Sequence, residues 1–460
     1  MYRALSAPIT CQIELTSACN NDCIHCYNHW RHCDQKPNDY MTDEMIDRTV
    51  QEMAKNNVFQ VTLTGGEVFL RRSSLFRMIE KLISADISCA VNSNLTIFTR
   101  DDAKRLRDLG IGGILTSVCS FESHRHDEIS RRRGSFEKTM RGIALAIEGG
   151  LTVAVSMVVT KLNIHDIKKT GLFLKELGVR QFFATKASPP LNAKDFNRFM
   201  ISKAELMKVL DDLVDLRENA NLDVGILECY PLCGYQKQSL YSFATGRRCS
   251  AGITTCTVSA TGGIRPCSHS DEEFGNIESE GLQTAWNNMT VCRDGSRLPD
   301  TCRSCKLLPR CSGGCRVDAF YCTGKYDEMD PYAAPEEIPL VKLSKLDLPK
   351  TQQGQSFVIN KNLKVRREPF GVLIADRNYA GTPAFITHDT FKLIEHLHNK
   401  PFTVTDVMNI VGLPIDSVTT FCGAMLRDRI FLAIEPTREE KMVMDNTKKT
   451  VPLWVPTGGK

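Results

Sequence analysis

Hydrophobic positions in the first half of the chain alternate between a helical period and a strand period. Ile46, Val50, Met53 and Ala54 share one face of a predicted helix over Asp43–Asn57, with Thr42 placed as its N-cap. Phe59-Gln-Val-Thr-Leu-Thr64 then reads as a strand stopping at Gly65-Gly66. Leu75, Phe76, Ile79, Leu82 and Ile83 predict a second amphipathic helix, and Ile87–Val91 a strand. The alternation continues through strands at Gly113–Val118, Leu151–Val159 and Gln181–Thr185, with helices at Phe136–Glu148 and Ile167–Leu177 between and after them. Together with an opening strand at Gln12–Leu15, about six βα units imply a parallel sheet, either doubly wound or closing toward a barrel. This predicts an α/β domain over residues 8–225.

Beyond it the periodicity fades. From Cys229 to Cys322, within a second region of 226–325, Gly, Cys and turn residues dominate, so bound metal is the expected source of stability. Residues 326–355 carry four prolines and six acids, which reads as a linker. Phe357–Leu373 reads as two or three strands. Helical patterns follow at Thr387–His398, Thr403–Ile410 and Asp416–Arg427, then a short strand at Ile430–Ile434. That order describes a small winged-helix α+β domain over 356–436, followed by a charged tail at 437–460.

Composition narrows the field. At 42% hydrophobic and 24% charged residues the chain is an ordinary globular one, and no apolar run approaches the ~20 residues that span a bilayer. The N-terminal residues lack a signal-peptide core, so the expectation is a cytoplasmic protein with reduced thiols. A net charge of +4 is too small to imply nucleic acid or an anionic membrane as partner. Cysteine usage stands apart: there are 19, an odd total that cannot all pair within one chain. Five fall in the first 33 residues and ten between Cys229 and Cys315. In a reducing compartment such clusters point to metal or catalysis.

Cys19-Asn-Asn-Asp-Cys23-Ile-His-Cys26 places three thiols on one loop just past the first strand. Such a triplet can wrap one iron–sulfur cubane and leave its fourth iron open. A structural zinc site would need four protein ligands, with Cys11 or Cys33 as the available fourth. Loops after the strands of a parallel sheet are where active sites gather, which favours the open cluster.

These residues resemble the radical S-adenosylmethionine (SAM) enzymes, whose signature is Cys-x3-Cys-x2-Cys after the first strand of a partial (β/α)6 TIM-like barrel. Gly65, Gly66 and Glu67 resemble the family's GGE motif, which holds the amino group of SAM, with Val68 where proline is usual. Asn92, Ser117 and Asn163 match positions lining the SAM site in relatives. His126-Asp127 and Gly134-Ser-Phe136 resemble the loop after the fourth strand. Ser130 stands where an arginine is often found, so no arginine is carried over. The resemblance implies SAM cleavage to a 5′-deoxyadenosyl radical that abstracts hydrogen from an unactivated C–H bond.

Five cysteines lie within 21 residues at Cys302, Cys305, Cys311, Cys315 and Cys322, with Cys249, Cys256 and Cys267 upstream. Spacing alone allows two zinc ribbons. The arrangement resembles the SPASM extension of radical SAM enzymes, which binds two auxiliary clusters. By that resemblance Cys249, Cys256, Cys267 and Cys315 ligate the first, and Cys302, Cys305, Cys311 and Cys322 the second. Three [4Fe–4S] clusters are thus implied, one of them binding SAM. Eight further cysteines remain, among them Cys229 and Cys233, which could contact substrate or substitute as ligands. His269 and Asp271, just past Cys267, are candidate proton acceptors; Ser268 stands where alcohol-oxidising relatives carry aspartate.

The candidate recognition helix of the C-terminal domain, from Asp416 on, begins with an acid and stays uncharged until Arg427, unlike a DNA reader. The domain resembles the PqqD-like recognition element, which binds a leader peptide as an added strand. Gly371–Ala375 is the expected edge strand. The whole is then expected to be a maturase of a ribosomally made precursor peptide, forming a thioether, C–C or ether cross-link, with an electron donor such as flavodoxin or ferredoxin. A SPASM dehydrogenase or epimerase, and a zinc-stabilised peptide carrier without catalysis, are the alternatives.

Overall fold

A computed structural model describes residues 3–33, 37–191, 193, 195–235, 241–337, 348–377, 383–398 and 400–434. The chain divides into two compact units at residues 342–343. The first is built on a nine-stranded sheet. Its strands are β1 (Thr10–Glu14), β2 (Gln60–Thr64), β3 (Ser88–Asn92), β4 (Gly113–Ser117), β5 (Thr152–Val159), β6 (Gln181–Lys186), β7 (Asp223–Gly225), β8 (Thr255–Val258) and β9 (Ile264–Arg265). The order is β7-β6-β5-β4-β3-β2-β1-β8-β9. β1 to β7 run parallel in sequence order, β8 joins β1 in parallel, and β9 folds back antiparallel on β8.

Helices α1 (Asp43–Lys55), α2 (Arg72–Ser84), α3 (Arg100–Asp108), α4 (Ser123–Ser130), α5 (Ser135–Glu148), α6 (Ile167–Glu176) and α7 (Lys203–Ala220) lie between the strands in the chain. Thr42 caps α1 through the Met45 amide at 3.2 Å, an interaction of about 1 kcal/mol. Ala54, expected on the buried face of α1, is exposed, and Glu52 is buried instead. Its carboxylate accepts from the Leu282 amide at 2.8 Å and so caps the helix Gly281–Asn288. Three of these helices, α3, α4 and α7, went unpredicted. α7 carries Leu206, Val209, Leu210, Leu213 and Leu216 on its buried face behind a Ser202–Glu205 capping box. α3 buries only Ala103 and Leu106 among its apolar residues, which leaves almost no hydrophobic period to read.

The cysteine-rich region belongs to the first unit, and β8 and β9 extend the barrel sheet itself. The expected linker does not begin at residue 326. Asp330 is buried and accepts from the Cys315 amide at 2.7 Å, and buried Tyr332 donates its hydroxyl to the Ile201 carbonyl at 2.8 Å. These polar anchors, and not an apolar period, hold the Pro-rich stretch in place.

In the second unit, β10 (Ser356–Ile359) pairs with β14 (Phe402–Thr403) and β15 (Phe431–Ala433). A separate antiparallel sheet holds β11 (Leu363–Glu368), β12 (Gly371–Asp376) and β13 (Ala384–Ile386) in that order. Helices His388–Leu397, Val404–Val411 and Ile415–Arg427 complete the unit. Phe357, Val372, Ile394, Val418 and Phe431 are among its core residues. β12 is the centre of its sheet, paired on both sides, so Gly371–Ala375 is not an edge. The expected tail at 437–460 lies outside the described residues. Among the described residues no single helix is long and apolar enough to cross a membrane.

Candidate functional site

The loop after β1 carries Cys19, Cys23 and Cys26, and its shape is set from two sides. The Asp22 and Ile24 amides donate to the carbonyls of Ser130 and Ile129 at the end of α4, at 3.0 and 2.9 Å. On the other side the Gly66 and Glu67 amides donate to the carbonyls of Thr16 and Ala18, at 2.7 and 2.8 Å. This close approach requires glycine, because a Cβ on Gly66 would sit 1.9 Å from the Ala18 oxygen. Gly65 adopts φ +135°, and a Cβ there would meet the Thr16 oxygen at 2.4 Å. The Gly-Gly pair is thus a cradle pressed against the backbone that leads into Cys19.

The three thiols are near enough to interact electrostatically. Burial raises the Cys19, Cys23 and Cys26 pKa values, that of Cys26 to about 12; neighbouring sulfurs push the same way at Cys23 and Cys26, and the Glu67 carboxylate does so at Cys19. Metal loading must therefore displace their protons. Among the described residues no group of three or more His, Cys, Asp or Glu side chains is placed to hold a single metal ion. A cubane spreads its thiolates over its own width and makes no such demand.

Glu67 does not reach out to a ligand. It is fully buried, and its carboxylate accepts from the Phe69 amide, the Ser93 hydroxyl and the Asn94 amide at 3.0, 2.7 and 2.8 Å. Its role is to pin the ends of β2 and β3 together. Asn163 is likewise committed: it accepts from the Thr160 amide and donates to the carbonyls of Cys119 and Val158, shaping the loop after β5. Asn92 and Ser117 are different. Asn92 Oδ1 is buried without a partner at the end of β3, and Ser117 is exposed at the end of β4. An unpartnered buried acceptor beside a glycine cradle fits a ligand that brings its own donors.

Tyr27, next to Cys26, stacks on His269 with ring centroids 4.6 Å apart. His269 Nδ1 lies 3.7 Å from Glu228 Oε1. The other Glu228 oxygen is 3.1 Å from Lys186 Nζ and 2.9 Å from Ser188 Oγ. Lys186 also pairs with Asp318, which is fully buried. Burial opposes ionisation of both groups. The mutual charge outweighs it, holding Lys186 well above and Asp318 below the usual range. Asp271, the other expected proton acceptor, is exposed. Glu228 is the partner that sequence reading missed, since nothing in its local pattern marks it.

The second cysteine region separates into two groups. Cys249, Cys267, Cys292 and Cys315 line one cavity together with Arg297 and Arg316. Cys229 is within hydrogen-bond reach of both Cys249 and Cys315. Cys256 is not part of this group. It sits in β8 opposite Cys11 of β1, both are buried, and their sulfurs are 3.5 Å apart. Strand pairing fixes its side chain in the apolar core, which excludes it as a ligand beside Cys249. Cys302, Cys305 and Cys311 line a second cavity, from which Cys322 is absent.

Residues 13–174 match the radical SAM superfamily, and residues 249–312 match the SPASM iron–sulfur cluster-binding domain. The AdoMet-dependent heme synthase of Methanosarcina barkeri is 25% identical over 354 residues, 72% of this chain and 98% of that one. The mycofactocin maturase MftC of Mycobacterium tuberculosis is 26% identical over 338 residues, 72% of this chain and 83% of that one. Streptococcus suis SuiB bound to S-adenosylmethionine shares the fold, with TM-score 0.57 and 18% identity over 74% of this chain and 78% of that one. SuiB bound to its precursor peptide SuiA superposes similarly, with TM-score 0.56 and 16% identity over 74% of this chain and 77% of that one.

Proposed function

We propose that this chain, which carries a radical SAM domain and a SPASM domain, matures a ribosomally synthesised precursor peptide by an oxidative cross-link. The observation that carries the SAM-dependent part is the Gly65–Gly66 cradle, joined to the three-thiol loop and facing the unpartnered Asn92 acceptor. Cys19, Cys23 and Cys26 would hold one [4Fe–4S] cluster; reduced by an external one-electron donor and with SAM bound, it would supply the chemistry that yields a 5′-deoxyadenosyl radical. The chain's own residues position and protect: Glu67 holds the strand ends, Asn92 and Ser117 offer polar contacts to SAM, and Tyr27 and His269 wall the site.

Loss of hydrogen from the peptide followed by bond formation releases a proton and an electron. His269 and Glu228 are the acceptor pair for the proton, with Lys186 and Ser188 keeping Glu228 oriented. The cysteines of the SPASM region would hold iron–sulfur clusters, and such clusters would supply the acceptor for the electron. The second unit supplies peptide binding. Among the described residues its β11-β12-β13 sheet has two free edges, β11 and β13; Phe385 on β13 is 44% exposed, and a leader strand can add at β13 by main-chain hydrogen bonds. The mycofactocin maturase among the relatives supports a peptide substrate.

A small-molecule substrate is the second reading, favoured by the similarity to a heme synthase that matches along nearly its whole length. Co-expression with any short open reading frame found to neighbour the gene separates the two. The proposal expects the core peptide to lose about 2 Da per cross-link by mass spectrometry, the mass of two hydrogens. An unmodified peptide, with SAM still consumed on a tetrapyrrole, would reverse the order of the readings.

A further inference from the structure

The second cavity of the SPASM region has a wall that sequence spacing does not assign. Cys302, Cys305 and Cys311 share it with Cys233, and no charged side chain is among its lining residues. Cys233 lies on the turn Leu232–Gly234, about 70 residues upstream of the other three in the chain. Backbone amides point at three of these sulfurs: Ala334 at Cys233 (3.3 Å), Leu307 at Cys305 (3.4 Å) and Leu232 at Cys311 (3.3 Å). Amide donors aimed at sulfur stabilise thiolate and tune a bound cluster. Cys322 occupies a different place. It is exposed on the helix Arg316–Thr323 and does not line the cavity.

Resting on the reading of the region as an iron–sulfur domain, we infer that Cys233, and not Cys322, is the fourth ligand of the cluster held by Cys302, Cys305 and Cys311. Four thiols, an apolar wall and amide donors to sulfur meet the needs of a four-iron cluster. The assignment also gives the turn before β8 a structural task. A ligand from residue 233 would tie the end of the barrel to the cysteine run through metal, adding to the Leu232–Cys311 hydrogen bond that already joins them.

The test compares Cys233→Ala with Cys322→Ala in the full chain, each reconstituted anaerobically with iron and sulfide. The parent is expected to bind about twelve irons, four per cluster. Cys322→Ala should match it, whereas Cys233→Ala should lose about four irons and one set of reduced-cluster EPR signals. Continued 5′-deoxyadenosine formation by Cys233→Ala would show that the barrel is still folded. Alkylation of the intact holoprotein gives a second readout: iodoacetamide should label Cys322 and reach Cys233 only after the clusters are stripped. Full iron in Cys233→Ala, or loss of four irons in Cys322→Ala, would overturn the assignment. A parent without sulfide-bound iron would instead overturn the iron–sulfur reading, and the ligand assignment with it.

Discussion

His126 shows how a single buried group sets a pH response. Its ring is 2% exposed, Nδ1 accepts from the Cys119 amide at 3.2 Å, and Nε2 has no partner. Burial lowers its pKa from 6.5 to about 4, with Asp127 offsetting only part. The folded state therefore prefers the neutral ring. The stability it contributes is complete above pH 6.5 and is lost as pH falls toward 4. The full effect is about 3 kcal/mol. His126→Asn keeps an acceptor but cannot titrate, so its melting temperature should fall less than that of the parent over this range. Parallel curves would show that another group dominates. Gly66→Ala tests the cradle: a Cβ 1.9 Å from the Ala18 oxygen must displace the loop into Cys19, so iron at the three-thiol site should be lost. Retention of full iron would mean the backbone accommodates the methyl. Glu228→Gln should lower peptide product by about 100-fold or more while 5′-deoxyadenosine still forms. The thiol triplet and Gly65–Gly66 were legible because local spacing encodes them. Glu228 was not, because its partners come from distant segments, and Cys233 was legible only as a cysteine that could contact substrate or substitute as a ligand.

At the scale of elements, register decided what spacing left open. Cys256 has the spacing of a ligand, yet its pairing opposite Cys11 puts it in the sheet core. Cys256→Val, suited to a buried strand, should keep the parent's iron and sulfide, while Cys267→Ala should lose about four irons. Loss of iron in Cys256→Val would restore it as a ligand. The strand–helix alternation predicted the positions of β1 to β6 within a few residues, since each carries an apolar run with turn signals at its ends. β7, only three residues long, left no period to detect. In the second unit β10, β11, β12 and β15 fall in segments read as strands, whereas the short β13 and β14, and the pairing order, were not read. Pairing on both sides of β12 leaves β11 and β13 as the free edges of that sheet among the described residues, and β13 carries the exposed Phe385. Phe385→Asp should therefore weaken leader-peptide affinity by about tenfold or more, measured by fluorescence anisotropy, with SAM cleavage unchanged. Unaltered affinity would place the leader elsewhere.

Across the whole molecule, one sheet connects the chemistry. β1 leads into the three-thiol loop and pairs with β2, which leads into the glycine cradle, and with β8 of the SPASM region. Arg265 on β9 completes the connection through its buried pair with Glu14 on β1. The three-thiol loop, the glycine cradle and the second cysteine region thus share one sheet. The central claim is that this sheet serves SAM cleavage, and it can be measured directly. Protein reconstituted anaerobically and given SAM and dithionite should form 5′-deoxyadenosine. The Cys19→Ala, Cys23→Ala, Cys26→Ala triple variant should form none. Equal 5′-deoxyadenosine from the triple variant, or none from the fully iron-loaded parent, would contradict the account.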